Sequence, residues 1–223
     1  MIDILRASET AGKCQRNWSP EPVEESDIKT IVDSCMNMPT KQNVTMYELC
    51  VITDKDTREQ LYDTSYVPEL RLHPAGSRGQ WRNGQMLAPL LFMWFFTSYE
   101  NSRRNQPEEV FDDSTIHTDQ TCLNAGISMG AAALAATQLG YSVGFNCCTG
   151  NEEAWHEMAK KYNNDIGPFI CALGIGKPIP SKARNIVIKN KHLESDLIVS
   201  TEAHRKQKLV HYCLLYTSDA ADE

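Results

Sequence analysis

Residues 87–96 read Leu-Ala-Pro-Leu-Leu-Phe-Met-Trp-Phe-Phe, an unbroken apolar run that restricts the fold more tightly than any other stretch. The run is too short to cross a bilayer as a helix, which takes about 20 residues. Its bulky aromatic and aliphatic content suits a β-strand buried on both faces. Pro89 has no amide hydrogen to give to a sheet ladder, so it must stand at the start of that strand.

The segments around this strand carry clear local signals. Residues 20–37 are expected to be helical, because Ile28, Ile31, Val32, Cys35 and Met36 recur at helical spacing. Glu24, Glu25 and Asp27 fall in the first turn, where the helix dipole favours acids. Residues 47–53 read as a strand and residues 56–62 as a short surface helix. Residues 63–84 mix Pro, Gly, Arg and His without a period, and a loop of that length is often functional. Residues 99–114 are polar and charged, which predicts a loop. Residues 152–162 read as a further helix, and residues 169–175 and 186–188 as strands.

Residues 119–139 form a long helix dominated by Ala, with Gly126 and Gly130 four apart. Small residues at this spacing also mark membrane helices. Asn124, Ser128, Thr137 and Gln138 interrupt the run, and Ala and Gly contribute little transfer energy. The better reading is a buried helix whose small side chains let another backbone approach closely. Gly140 is expected to end it as a C-cap.

The 223 residues are 41% hydrophobic, enough to bury a sizeable core, and carry a formal net charge of -7. That acidic balance argues against a nucleic-acid partner, which usually needs a basic face. The chain has eight cysteines, but it opens on Met1-Ile2-Asp3-Ile4, with an acid where a secretory signal would place bases. Cys35, Cys50, Cys122 and Cys171 lie in apolar segments. They read as reduced, small hydrophobic residues of a cytoplasmic protein rather than a disulfide framework. The adjacent Cys147 and Cys148 could bridge each other only with strain. His117 and His156 stand in no zinc-like spacing, so no metal site is expected.

In such an acidic chain, bunched cations suggest a bound anion. One cluster is Lys13-Cys14-Gln15-Arg16-Asn17-Trp18, followed by Pro39-Thr40-Lys41-Gln42-Asn43. The other is Gly174-Ile175-Gly176-Lys177-Pro178, followed by Lys182-Ala183-Arg184. Between them stand Asn83-Gly84-Gln85, then Ala88-Pro89, and later Leu139-Gly140. Taken singly, each is weak: Lys182, Arg184 and Arg16 would be solvated surface charges, and Trp18 would be core packing. Six in this order, at about this spacing, make a strong signal.

The order resembles that of the nitroreductase family of FMN-dependent oxidoreductases, over about residues 10–188. The resemblance implies an α+β fold: a mixed central sheet of four or five strands flanked by helices, a three-layer sandwich that forms a homodimer with FMN at the subunit interface. Lys13, Lys182 and Arg184 would then hold the FMN phosphate, as paired cations do well. Arg16 would place a cation near the pyrimidine edge of the isoalloxazine. Asn43, Asn83 and Gln85 would read ribityl hydroxyls and ring edges. Cys14, Pro39, Thr40 and Lys41 complete the two N-terminal turns of the site, and Asn146, Cys147 and Cys148 the segment whose backbone addresses flavin N5. No side chain need act as a general acid, since the flavin does the chemistry. Two departures, Gly12 in place of a basic residue and Cys14 in place of serine, point to looser phosphate binding.

The implied reaction passes two electrons from NADH or NADPH to a nitro-aromatic, quinone or similar conjugated acceptor by a ping-pong route. Alternatives are reductive dehalogenation, flavin cleavage, or a flavin-binding module without turnover. Residues 1–213 are read as one FMN-binding domain. Residues 214–223 continue no earlier pattern, look like translated cloning or adapter sequence, and are set aside.

Overall fold

A computed structural model describes residues 3–12, 15–40, 45–65, 83–97, 114–147, 152–164 and 166–179, with side chains from 118 and 153 onward in the two helices that open those later stretches. All of them fall in one compact unit.

Four strands form the sheet: β1 (Tyr47–Ile52), β2 (Leu90–Phe96), β3 (Ser142–Asn146) and β4 (Phe169–Gly176). Their order is β1-β2-β4-β3, and every pairing among the described residues is antiparallel. The predicted strand at 186–188 lies outside the described residues. Five α-helices accompany the sheet: α1 (Ile4–Ala11), α2 (Glu25–Met36), α3 (Lys55–Thr64), α4 (Ser114–Gln138) and α5 (Glu152–Lys160).

The expectation for the apolar run holds. Leu90, Leu91, Phe92, Met93, Trp94 and Phe95 are all fully buried. Side chains alternate across a strand, so Leu90, Phe92 and Trp94 enter a core with Ile31 and Cys35 of α2 and Ala125, Ala132 and Ala136 of α4. Leu91, Met93 and Phe95 enter a second core with Leu61 of α3 and Trp155, Met158 and Ala159 of α5. Two helical layers thus enclose the sheet, as in a three-layer sandwich. The strand begins at Leu90 rather than Leu87, because Gly84–Leu87 forms a 3-10 turn and Pro89 stands just before the ladder.

Helix ends follow local chemistry. The α2 helix begins at Glu25, five residues later than expected, because Pro20 and Pro22 precede it and Glu24 is extended. Asp54 caps α3 by accepting the Thr57 amide at 2.7 Å. At the end of α4, Gly140 has φ 94°, a left-handed conformation that glycine adopts without penalty. The Tyr141 amide donates to the Ala136 carbonyl at 3.0 Å and the Gly140 amide to Thr137 at 3.2 Å, a Schellman cap. No helix of the described residues is long and apolar enough to cross a membrane.

Candidate flavin site

The β3–β4 edge presents a row of glycines on one face. Gly144 pairs with Gly174, and Ser142 with Gly176. A Cβ on Gly174 would lie 2.6 Å from the Gln85 carbonyl oxygen and 3.1 Å from the Trp18 ring. One on Gly176 would lie 2.6 Å from Pro89 Cδ. A Cβ on Gly144 would run into the Gln15 carbonyl oxygen and approach Gln85 Cγ at 3.1 Å. Only glycine lets backbone lie this close on a sheet. The Gly174-Ile175-Gly176 motif therefore has a packing reason: it is the floor on which two polar segments rest.

The first segment is Gln15 to Trp18. The Gln15 amide donates to the Val143 carbonyl at 2.6 Å, extending the edge of β3. Trp18 pairs with Pro178 in an antiparallel bridge, and its Nε1 donates to the Gly84 carbonyl at 3.0 Å. The Ser19 amide donates to Lys177 at 2.8 Å and the Ile179 amide to Asn17 at 3.4 Å. Lys177 Nζ also meets Glu21 Oε2 at 2.6 Å. That contact holds the exposed Glu21 carboxyl below its usual pKa and the Lys177 ammonium above its own. Residues 17–19 and 177–179 thus run side by side, so the chain positions that lead into the two basic clusters are neighbours in space.

The second segment is the 3-10 turn. Its N-cap Asn83 accepts the Gln85 amide on Oδ1 at 3.0 Å. The Asn83 amide donates to Ser65 Oγ at 2.9 Å. Gln85 is buried, and its Nε2 donates to the Phe145 carbonyl at 2.6 Å. Gln85 therefore ties the turn to β3, a structural use of an amide that the sequence suggested would read a ligand. Asn146, also buried, sits one register step beyond Gly144 on the same face, and Cys147 follows, exposed.

Of the expected site residues, the structure brings together Arg16, Asn83, Gln85, Asn146 and Cys147. Arg16 is exposed, and its guanidinium makes no hydrogen bond or ion pair among the described residues. Pro39 and Thr40 follow α2, and no hydrogen bond joins them to this cluster among the described residues. Lys13, Cys14, Lys41, Asn43, Cys148, Lys182 and Arg184 lie outside the described residues. Sequence reasoning missed β3 itself and Gln15, whose amide extends the β3 edge. The signal that could have found them is Gly144, an isolated glycine in a short apolar segment. A separate groove of about 670 Å³ runs between α3 and α5, and none of its lining residues belongs to this cluster.

The nitroreductase family model matches residues 13–177, from the first basic cluster through the end of β4. The chain belongs to the nitroreductase family. Solved structures share the fold at low identity. A nitroreductase family protein from Clostridium novyi NT is 16% identical, with a TM-score of 0.58 over 82% of this chain and 89% of that one. NfrA2 from B. megaterium is 19% identical, with a TM-score of 0.61 over 92% of this chain and 81% of that one. The hypothetical oxidoreductase YcnD from Bacillus subtilis is 15% identical, with a TM-score of 0.63 over 92% and 82%. No curated protein matches the sequence at a significant level.

The donor set of this nitroreductase family member fits a flavin. Arg16, exposed and with a guanidinium that has no partner among the described residues, and Asn83 flank Gly84, where a Cβ would lie 2.9 Å from the Arg16 carbonyl oxygen. A cation with amide donors and acceptors is what an anionic phosphate and a pyrimidine edge require.

Proposed function

We propose that the chain is an FMN-dependent oxidoreductase that passes two electrons from NADH or NADPH to a nitro-aromatic, quinone or similar conjugated acceptor. The observation that carries the reading is the pairing of residues 17–19 with 177–179, at the two ends of the stretch from 13 to 177 that the family model matches. The chemistry that bound FMN would supply is hydride acceptance from the nicotinamide and two-electron donation to the acceptor, with the proton from solvent. Lys13, Lys182 and Arg184 would hold its phosphate, and Arg16 would supply a cation for the pyrimidine edge. Asn43 and Asn83 would bond the ribityl chain or ring. Gln85 holds the turn that carries Asn83 against β3. Cys14, Pro39, Thr40 and Lys41 would line the N-terminal side, and the backbone of Asn146, Cys147 and Cys148 would serve the flavin ring. One pocket serves donor and acceptor in turn, which gives ping-pong kinetics.

The working form is a homodimer in the cytoplasm. The open face of α4 supports the dimer: Leu123 is 63% exposed, Ile127 is partly exposed, and no described residue lies within 4 Å of a Cβ placed on Gly126 or Gly130. Cys35, Cys50, Cys122 and Cys171 form no disulfide among the described residues, in keeping with a reducing compartment.

The purified protein should be yellow, release FMN on denaturation, and oxidise NADH or NADPH with menadione as acceptor. Arg184→Ala should stay folded but bind FMN about ten- to hundredfold more weakly, since a charged hydrogen bond of this kind is worth roughly 1.5–3 kcal/mol. A colourless wild-type protein that takes up no FMN on titration would sink the reading. A yellow protein without turnover would leave only the flavin-binding module.

A further inference from the structure

The 3-10 turn that carries Asn83 and Gln85 is held at both ends by α3. At its start, Ser65 Oγ accepts the Asn83 amide at 2.9 Å while donating to the Tyr62 carbonyl at 2.7 Å. At its end, one Arg58 nitrogen, Nη1, donates to the Leu87 carbonyl at 3.2 Å and to the Ala88 carbonyl at 2.8 Å. Arg58 is an unusual residue for that task. It sits on a polar helix with Asp54 and Glu59 nearby, yet among the described residues it forms no ion pair, and Glu59 pairs with Lys55 instead. Its Nε is buried without a hydrogen-bond partner among the described residues. Burial pulls the guanidinium pKa down, against the pull of the two acids. A half-buried cation bound to neutral carbonyls, rather than to a carboxylate, is costly to keep. What it does is fix the carbonyls at the turn's exit, just before Pro89, which has no amide of its own to anchor the chain there.

We propose that Arg58 is a positioning residue for the flavin site: through the Leu87 and Ala88 carbonyls it sets the depth at which the turn lies on the Gly174 floor. Asn83 at the turn's entrance is thereby aimed at the ligand, and Gln85 is kept within reach of Phe145. The proposal rests on the flavin reading above, but its geometry does not. Arg58 touches neither cofactor nor substrate on this account. Its effect travels through six residues of backbone held between α3 and β4.

Three forms separate the cases: wild type, Arg58→Met, which keeps the aliphatic stem, and Arg58→Lys, which keeps the charge with a single donor head. Hydrogen exchange by mass spectrometry on the flavin-free protein reads the turn directly. Arg58→Met should raise the exchange rate of the peptide spanning residues 83–88 at least tenfold and leave β2 and β4 protected as in wild type. FMN titration should show about a tenfold weaker Kd for Arg58→Met and an intermediate value for Arg58→Lys. Unchanged protection at 83–88, or an equal loss of protection across the whole sheet, would overturn the proposal. So would faster exchange at 83–88 with an unaltered FMN Kd, because the turn's position would then not matter to the site. A wild-type protein that binds no FMN would defeat the flavin reading and the aim assigned to the turn, while the exchange rates would still say whether Arg58 holds it.

Discussion

Gly144 shows how little room the site leaves at the residue scale. It lies in an edge strand, where a larger side chain would ordinarily be welcome, yet a methyl there would strike the Gln15 carbonyl and crowd Gln85. The obstacle is backbone, which cannot rotate away as a side chain tip can. Gly144→Ala should therefore cost on the order of 3 kcal/mol, the upper end for overpacking, read as a lower urea midpoint with the slope unchanged. An unshifted midpoint would mean that Gln15 does not lie on this floor. The thiols give a second residue-scale expectation. Burial pushes Cys35 and Cys50 up to about 11 and Cys171 up to about 12, from a usual value near 9.0. Below pH 9 these groups are protonated whether folded or unfolded and stability is unaffected. Above it the unfolded chain ionises first, so stability falls as pH rises from about 9 toward 11 and 12. Urea midpoints measured from pH 7 to 10.5 should decline only on the alkaline side, and Cys171→Ala should soften that decline. Iodoacetamide at pH 8 should label the exposed Cys147 and spare Cys35 and Cys171 until the protein unfolds.

At the scale of elements, the proposed dimer rests on α4. One side of it is buried: Thr121, Asn124, Ala125, Ser128, Ala132 and Ala136, with Ser128 Oγ accepting Trp94 Nε1 at 3.1 Å. The other side, with Cys122, Leu123, Gly126, Ile127 and Gly130, is open. The expected close approach of a backbone to Gly126 and Gly130 does not come from this chain's described residues, and in the proposed dimer it comes from the second copy. Gly130→Leu discriminates well, because in a single chain it should do no harm. An exposed helical glycine replaced by leucine gains up to about 1 kcal/mol of helix propensity. The variant should therefore keep its far-UV circular dichroism and its thermal midpoint as a monomer, while light scattering reports loss of the dimer. A dimer that survives the substitution would place the interface elsewhere.

For the molecule as a whole, the two cores are joined through β2, whose residues alternate between them. The polar clasp of residues 15–19 over 177–179 lies at the far edge of the sheet, next to β3. Residues 214–223 lie outside the described residues; the segment ends in Asp-Ala-Ala-Asp-Glu, a composition with little to bury. A chain stopped after Cys213 should keep its melting temperature, flavin content and turnover. Stopping at Lys189 should weaken the dimer, since chain ends of this family's fold often wrap the partner. A loss of more than about 1 kcal/mol on removing 214–223 alone, large beside a domain's marginal stability, would make that tail structural.

The doubly buried strand, α2, and α4 with its glycine end were legible in the sequence, because each depends on a short window: an apolar run without charge, a helical period, a glycine where φ must be positive. The order of the basic clusters and their neighbours was legible too, and it led to the family. The short α1 and β3 were not, since eight and five residues carry too little periodic signal. Nor could any window show that Gln15 lies on Gly144, that Gln85 is spent on Phe145, or that Arg58 secures the exit of a turn thirty residues away. Those contacts depend on the strand order β1-β2-β4-β3, which sets β4 between β2 and β3 and brings residues 17–19 against 177–179. Propensity acts within a few residues of the chain, whereas these partners stand roughly 30 to 160 positions apart, and only the folded sheet places them together.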